Sequence, residues 1–508
     1  MIELENSQVL VIGAGSSGLA AARLIGDRGG RVLLVDDRLD ELAPDTLREL
    51  EQFCGTFSSS VSAESVRDCQ LVVVSPGVGS ESPSLQLARA LGLPVIGEIE
   101  LAYRCSEDPI IAVTGTNGKT TTTRLIEACF QGVGQQSRAA GNIGYPFSRL
   151  VSERRRLDWL VLEVSSFQLE TTDQFRPAVA VVLNLAPDHS DHHGTTEAYY
   201  RAKAKVFANH GKQDWTIIQR EALATFKAMG IEIPGRVLTF SSRDAEADLY
   251  YGSGCIGSRI PNWAGVVFDC DEAALWGRHN AENMMATLLV GFVVGLPLSE
   301  IRLALMAFRP EAHRMERFPS ISGVAFINDS KSTNPHSLGA AIEAAGCSLS
   351  HGAHLWLIAG GQNKQLSFRP LEPLVDRYVA GAFVFGRSRR ELESAFASNT
   401  LCRSHECLEE SLEEALSLAS EGDVILFSPG CASFDQFKSY ADRGLAFRNA
   451  VRRFASAVSA REGGDRAGGA KVCSRSTEAL SSRLTHCVPA ERRTRLKSIT
   501  LTHSPPSQ

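Results

Sequence analysis

The stretch 110–123, Ile-Ile-Ala-Val-Thr-Gly-Thr-Asn-Gly-Lys-Thr-Thr-Thr-Thr, constrains the fold more than any other part of the chain. A β-branched apolar run stops at Gly115, a Gly/Asn loop follows, and Lys119 opens a threonine-led helical segment. That order is a strand, a phosphate-cradling loop and a helix N-terminus. Backbone N–H groups and the positive end of the helix dipole favour a polyphosphate there, Lys119 adds a point charge, and Thr120 offers a hydroxyl to Mg²⁺. Gly115, Thr116, Asn117, Gly118, Lys119, Thr120 and Thr121 are therefore the expected ATP contacts. Val113 stands where the usual nucleotide-loop pattern has its first glycine, so the loop is a shortened form. The competing reading is a Gly-rich βα turn with a surface lysine.

At 508 residues the chain has room for about three domains. Its 44% apolar and 22% charged residues are ordinary for a globular protein, and a net charge of −6 gives no reason to expect nucleic acid as a partner. No apolar run is long enough to span a bilayer, so no membrane insertion is expected. The start, Met1-Ile-Glu-Leu-Glu-Asn6, has no basic region before an apolar core, and a cytoplasmic protein is expected. Twelve cysteines without a Cys-x-x-Cys pair read as reduced thiols.

The first domain, 1–105, opens with a strand at 9–13, then Gly13-Ala-Gly-Ser-Ser-Gly18 and a helix over 19–27. A second strand ends in Asp36 and Asp37, where a ribose-binding acid is expected. Alone, this reads as a nicotinamide-binding Rossmann unit, and an oxidoreductase is the alternative function. The unit ends near 105, short of the six-stranded dinucleotide arrangement, and its third strand empties into Ser75-Pro76-Gly77. A half-sized unit suits a mononucleotide such as a uridine diphosphate.

The central domain, 106–309, carries a strand at 159–163 ending in Glu163. A buried acid needs a partner, and a magnesium ion beside ATP would supply one. The strand from 179 empties into Asp188-His189-Ser-Asp191-His192-His193. His189, nearest the strand end, is expected to face the site, while His192 and His193 are expected on a solvated loop. Asp191-His192-His193 also matches a phosphoesterase signature, but that family has no lysine-bearing phosphate loop. A helix over 196–207 carries Lys203 and Lys205. Asn280 and Asn283 lie three apart on a helix running to 294, either pairing with adenine or capping the helix. In the third domain, 310–454, strands at 324–328, 354–359, 382–385 and 424–428 alternate with helices, implying a parallel sheet. Polar clusters at their carboxyl ends hold Asp329, Lys331, Lys364 and Ser433. Residues 455–508 carry net charge +5 and read as a disordered basic tail.

In family order over 7–454, these motifs resemble the Mur ligases of bacterial cell-wall synthesis. Gly115-Thr-Asn-Gly-Lys-Thr120, Gly277-Arg-His-Asn280 and Asn328-Asp-Ser-Lys331 resemble the whole family. Gly97-Glu-Ile-Glu-Leu101, Gly141-Asn-Ile-Gly144, Leu162 to Glu170 and Ser428 to Phe437 are similar to the branch that adds D-glutamate. The resemblance implies three α/β domains, Rossmann-like N- and C-terminal ones flanking a P-loop-type ATPase. It also implies an ATP-dependent ligase, working as a monomer, that joins D-glutamate to UDP-N-acetylmuramoyl-L-alanine. Ser16, Ser17, Gly18, Asp36, Asp37, Arg38 and Ser75-Pro76-Gly77 would hold the UDP. Asn142, Ser165 and His189 would face the muramoyl-alanine. Thr120, Glu163, His189 and a carbamylated Lys203, its carbamate derived from CO₂, would serve two Mg²⁺ sites. The family register selects Lys203 over Lys205. Arg314, Asp329 and Lys331 would close onto ATP, and Thr333, Lys364, Ser433 and Tyr440 would receive D-glutamate. An uncharged hydroxyl residue is common in the family at Asp37, and phenylalanine at Tyr440.

Overall fold

The computed structural model describes residues 2–41, 46, 48, 50–51 and 55–467. Residues Met1–Val451 form one compact unit and Arg452–Gln508 a second. The first unit holds three sheets in succession along the chain.

The first sheet comprises β1 (Gln8–Ile12), β2 (Arg31–Val35), β3 (Thr56–Ser58), β4 (Cys69–Val74) and β5 (Val95–Gly97), in the order β3-β2-β1-β4-β5 and all parallel. Valine, leucine and isoleucine fill β1, β2 and β4, and burial on both faces is the reason those strands are continuous apolar runs. The chain leaves β1 on one side and returns on the other as β4. The loop 13–18 and the loop 75–77 therefore open side by side at a switch point, where such sheets bind ligands. Gly18 lets the helix Ser16–Asp27 settle on the sheet, since a Cβ there would lie 1.7 Å from the Gly13 carbonyl oxygen. The five strands match a unit shorter than the dinucleotide arrangement.

The helix Glu98–Arg104 bolts this sheet to the next. Its two acids are buried: Glu98 accepts the Ser148 N–H at 2.5 Å, and Glu100 accepts the backbone N–H groups of Asp173, Gln174 and Phe175 at 2.9–3.0 Å. This is the physical content of the Gly97–Leu101 motif.

The central sheet has nine strands: β6 (Ile110–Thr114), β7 (Ser137–Gly141), β8 (Trp159–Glu163), β9 (Val179–Val182), β10 (Trp215–Gln219), β11 (Arg236–Ser241), β12 (Leu249–Gly252), β13 (Cys255–Ser258) and β14 (Gly265–Asp269). Their order is β14-β13-β12-β11-β10-β9-β6-β8-β7, parallel except for the pairs β12–β13 and β13–β14. β6 lies between β8 and β9, with Val113 opposite Glu163 and Thr114 opposite Val182. Topology alone thus brings the phosphate loop between Glu163 and the loop that follows β9.

The third sheet holds β15 (Glu316–Ile321), β16 (Val324–Asn328), β17 (Leu355–Gly360), β18 (Val379–Phe385), β19 (Leu401–Ser404) and β20 (Val424–Phe427), in the order β15-β16-β20-β17-β18-β19. The four expected strands are present, and two edge strands join them: antiparallel β15 and parallel β19. Both are partly exposed and short of apolar residues, which hides them from a hydrophobic reading. The final helix covers Tyr440–Ala467, so residues 455–467 are helical where the sequence reading placed the start of a tail. The remainder of that expected tail, 468–508, lies outside the described residues. No helix among the described residues is long and apolar enough to cross a membrane.

Candidate active site

A cavity of about 340 Å³ opens where the carboxyl ends of the second and third sheets meet. The loop after β6 supplies Thr116, Asn117, Gly118, Lys119, Thr120 and Thr121 to its wall. Gly118 takes a left-handed φ of +85° just before the helix Lys119–Gly132, and a Cβ there would lie 2.3 Å from Asn283 Oδ1. Glycine is required at that turn on both counts. Lys119 Nζ folds back onto the carbonyl oxygens of Gly115 and Thr116 at 2.9 and 3.0 Å. Burial lowers its pKa, opposed by the charges of Glu163 and Asp188.

Glu163 ends β8 and is 2% exposed. One carboxylate oxygen accepts from Asn142 Nδ2 at 2.9 Å, while Oε2 is buried without a hydrogen-bond partner. A buried, uncompensated carboxylate oxygen is costly, and Glu163 lines the cavity together with Thr120 and His189. The donor set, two oxygens and a neutral imidazole, fits a hard divalent cation. His189 sits in the left-handed region with φ +53°, and burial pushes its pKa down to about 4, so the ring is neutral at pH 7.

Lys203 lies behind the loop, 1% exposed, with Nζ donating to the Gly115 carbonyl at 2.8 Å and standing 4.4 Å from the Tyr199 ring centroid. Burial first, and the Lys119 charge second, hold its amine well below the ordinary lysine pKa. Lys205 differs in kind. Its Nζ donates to the backbone carbonyls of Glu170 and Thr172 at 2.6 and 3.3 Å, closing the end of the short helix Ser166–Glu170.

The third domain brings Arg314, Asp329, Lys331, Thr333 and Lys364 to the same cavity. Asp329 accepts from the Ser428 hydroxyl at 2.9 Å and from the Met315 N–H at 3.2 Å, and burial pushes its carboxyl up to about 7. Burial brings Lys331 down to about 8, and its ammonium stands 3.8 Å from the Tyr440 ring centroid. Lys364 Nζ meets Asp188 Oδ1 at 3.2 Å, and Asn334 Nδ2 donates to Asp188 Oδ2 at 3.0 Å. Asn117 Nδ2 lies 2.8 Å from His336 Nδ1. These contacts hold the third domain against the phosphate loop.

Several expected residues stand elsewhere. Gly115, Ser165, Lys203, Ser433 and Tyr440 are off the cavity wall. Ser165 accepts the Gln168 N–H at 3.3 Å as the cap of the helix Ser166–Glu170. Asn280 and Asn283 line the cavity, but their amides serve the protein. Asn283 Nδ2 donates to Asn280 Oδ1 at 3.1 Å, Asn280 Nδ2 to the Trp276 carbonyl at 2.9 Å, and the Thr122 hydroxyl to Asn283 Oδ1 at 3.2 Å. Gly277 is the N-cap of the helix Arg278–Val294 and no side chain caps it, so Asn280 does not play the capping role either; its amide ties the first turn back to Trp276.

The UDP candidates form a separate group at the switch point of the first sheet. Ser16 and Ser17 open its first helix, and Ser75 Oγ donates to the Gly13 carbonyl at 3.1 Å. Asp36 accepts the N–H groups of Ala14 and Arg38 at 2.6 and 2.9 Å, so this acid already braces the glycine loop. Asp37 is exposed beside Arg38. His192 and His193 end the helix Ser190–His193 instead of lying on a loop, both against Glu170; His192 is exposed, whereas the His193 side chain is buried.

Sequence reasoning did not select Asn184, Asp188, Asn334, His336 or Arg443. Asn184 clasps the phosphate loop, accepting the Asn117 N–H at 2.8 Å and donating to its carbonyl at 3.0 Å. Arg443 is fully buried and donates to Ser330, Gly360 and Cys431, stitching three loops of the third domain. Asp188 sat in a visible polar cluster, which was its signal. Arg443, on a helix face, offered none.

Three family domains match the chain in order: "Mur ligase MurD-like, N-terminal domain" over 7–97, "Mur ligase middle domain" over 113–291 and "Mur ligase, glutamate ligase domain" over 313–431. Among curated relatives, the UDP-N-acetylmuramoylalanine–D-glutamate ligase of Acidobacterium capsulatum is 38% identical over 89% of this chain and 97% of its own. The ligase of the same name from Pelotomaculum thermopropionicum is 39% identical over 88% and 98%. Two solved structures share the fold. A MurF ligase from Thermotoga maritima in complex with ADP has a TM-score of 0.57 at 16% identity, covering 91% of this chain and 100% of its own. The UDP-N-acetylmuramate–alanine ligase MurC of the same organism has 0.55 at 18%, covering 89% and 99%. With its three domains in that order and relatives of this identity over nearly its whole described length, the chain belongs to the Mur ligase family.

Proposed function

We propose that this chain is an ATP-dependent ligase that joins D-glutamate to the L-alanyl carboxylate of UDP-N-acetylmuramoyl-L-alanine, in peptidoglycan precursor synthesis in the cytoplasm. The observation that carries this reading is the convergence of Lys119, Glu163 and His189 with Lys331 and Lys364 on one cavity. A phosphate loop, an uncompensated carboxylate and two further cations from a separate domain are what acyl activation followed by amine capture requires. The relatives named above carry the same reaction in their names. The nicotinamide alternative gains no support: the first sheet has five strands, and the relatives are ligases.

A carboxylate is a poor acylating agent, so the L-alanyl carboxylate first attacks the γ-phosphorus of ATP in line, with ADP leaving. Lys119 and the loop N–H groups offset the charge on the transferring phosphoryl, and catalysis here is mostly positioning and electrostatics. Thr120, Glu163 and His189 would hold Mg²⁺, with a second site completed by a carbamate on Lys203. When bound, the ion neutralises phosphate charge. Lys203 suits carbamylation because a buried, neutral amine is the form that attacks CO₂, losing a proton to leave an anionic carbamate. Arg314, Asp329 and Lys331 close on the nucleotide. Thr333, Lys364, Ser433 and Tyr440 are assigned to D-glutamate, Lys364 pairing with a carboxylate, and the first domain to UDP. The amine of D-glutamate attacks the acyl phosphate, phosphate leaves, and the amide remains. Keeping water from that acyl phosphate is the role of the interdomain contacts at Asp188.

Substrate labelled with heavy oxygen in the L-alanyl carboxylate tests this. Label appearing in inorganic phosphate, in step with amide formation, is the expected result. Unlabelled phosphate would remove the acyl phosphate from the mechanism.

A further inference from the structure

Outside the ligase cavity, one group of metal-ligating side chains converges. Glu170 closes the helix Ser166–Glu170 after β8, and His192 and His193 close the helix Ser190–His193 after β9. Both imidazoles address one carboxylate: His192 Nε2 lies 2.8 Å from Glu170 Oε2, and His193 Nδ1 lies 2.9 Å from Oε1. One donor atom from each residue falls within 4.8 Å of the others, the single such group among the described residues.

The surroundings suit ligation. His193 Nε2 lies 3.0 Å from Ser166 Oγ. If that nitrogen carries the proton and donates to the hydroxyl, the Nδ1 lone pair is left to face Glu170, where it needs a cation. Such an outer partner, fixing ring and tautomer, is typical of metal-bound histidine. The His193 side chain is 1% exposed, while His192 and Glu170 are 27% and 36% exposed, so the group is anchored at its back and open in front. The Phe167 ring packs against both imidazoles, 4.4 Å from the His192 ring and 5.3 Å from that of His193. Lys205 bonds the backbone carbonyl of Glu170 and not its carboxylate.

We propose that Glu170, His192 and His193 bind a divalent transition-metal ion of the zinc class, with water in the fourth position. Two imidazoles and one carboxylate select such an ion over Mg²⁺ or Ca²⁺, which take oxygens. On binding, neutral imidazole lone pairs and the carboxylate become the ligands, and any proton shared among them is released. The ion clamps together the two short helices that follow Glu163 and His189 along the chain. It is separate from the hard-cation site at Glu163 and does not depend on the ligase reading.

The test uses the full chain in excess Mg²⁺, dialysed against Co²⁺, whose visible spectrum separates nitrogen and oxygen ligation from thiolate ligation. The difference spectrum between wild type and His192→Ala should show one Co²⁺ without a thiolate band. Affinity for that ion should fall at least about tenfold in His192→Ala and about 10–100-fold in Ser166→Ala. Proton NMR of the wild-type Co²⁺ form should show two paramagnetically shifted imidazole N–H resonances, a readout that does not need either variant to fold. Equal binding by wild type and folded His192→Ala would overturn the proposal. So would a wild-type spectrum with no shifted imidazole pair.

Discussion

The side-chain nitrogens of Lys119 and Lys203 end on one carbonyl oxygen, that of Gly115, at 2.9 and 2.8 Å. Two ammonium groups so close in a buried place repel, and the one farther from solvent yields. Lys203 is that one: its pKa is driven well below the lysine range, by burial first and by Lys119 second. The same backbone oxygen thus meets one lysine on the cavity wall and one behind the loop, where burial and the neighbouring charge favour the uncharged amine that the proposed carbamylation needs.

Lys203→Ala is therefore expected to lose turnover by about 10²–10³-fold, the usual effect of removing a charge-stabilising group. Lys205→Ala should keep most activity, since Lys205 only caps backbone carbonyls. Formate, but not chloride, should partly restore Lys203→Ala by standing in for the carbamate. Initial-rate assays of the two variants decide this, and interchangeable lysines would contradict it.

Asp188 is the interdomain latch, held by Lys364 at 3.2 Å and Asn334 at 3.0 Å. Asp188→Asn leaves Lys364 without its charge partner and loosens the approach of the third domain. The expected loss in kcat/KM for D-glutamate is about 10²-fold, the scale of an ångström-level misplacement. ATP binding without D-glutamate, followed by calorimetry, should change little. An unaltered kcat/KM would show that closure does not run through this pair.

Glu98 supplies a pH dependence of stability. Its Oε2 is buried without a partner, and burial pushes the carboxyl up to about 7 from an ordinary 4.5. A raised native pKa means that this acid contributes stability in full below about 4.5, and that the contribution is lost as pH rises through about 7. Glu98→Gln cannot titrate. Between pH 5 and 8 the wild type should lose roughly 2–3 kcal/mol relative to the variant. Melting temperatures of both proteins across that range measure it, and parallel curves would contradict it.

The phosphate loop was legible because its strand, glycines and lysine are contiguous, and Glu163 because a lone acid at the end of an apolar strand is conspicuous. The family register selects Lys203 over Lys205, and Lys203 is the buried one of the two. Asp188, Asn334 and Lys364 meet across separations of 146 and 176 residues, which no local pattern encodes. The strands β11 to β14 went unread because several are short, partly exposed and mixed in direction. His192 and His193 looked solvated because their partner, Glu170, comes from a helix after a different strand. What the sequence leaves hidden is chiefly which carboxyl-end loops face one another.

The most direct measurement is product analysis by mass spectrometry with purified full-length chain, ATP, Mg²⁺, UDP-N-acetylmuramoyl-L-alanine and either D- or L-glutamate. The account predicts a product equal to the two substrates less one water with D-glutamate only, with ADP and phosphate formed in equal amounts to it. ADP release that ignores the muramoyl nucleotide and D-glutamate, or no condensed product from a folded enzyme, would contradict it.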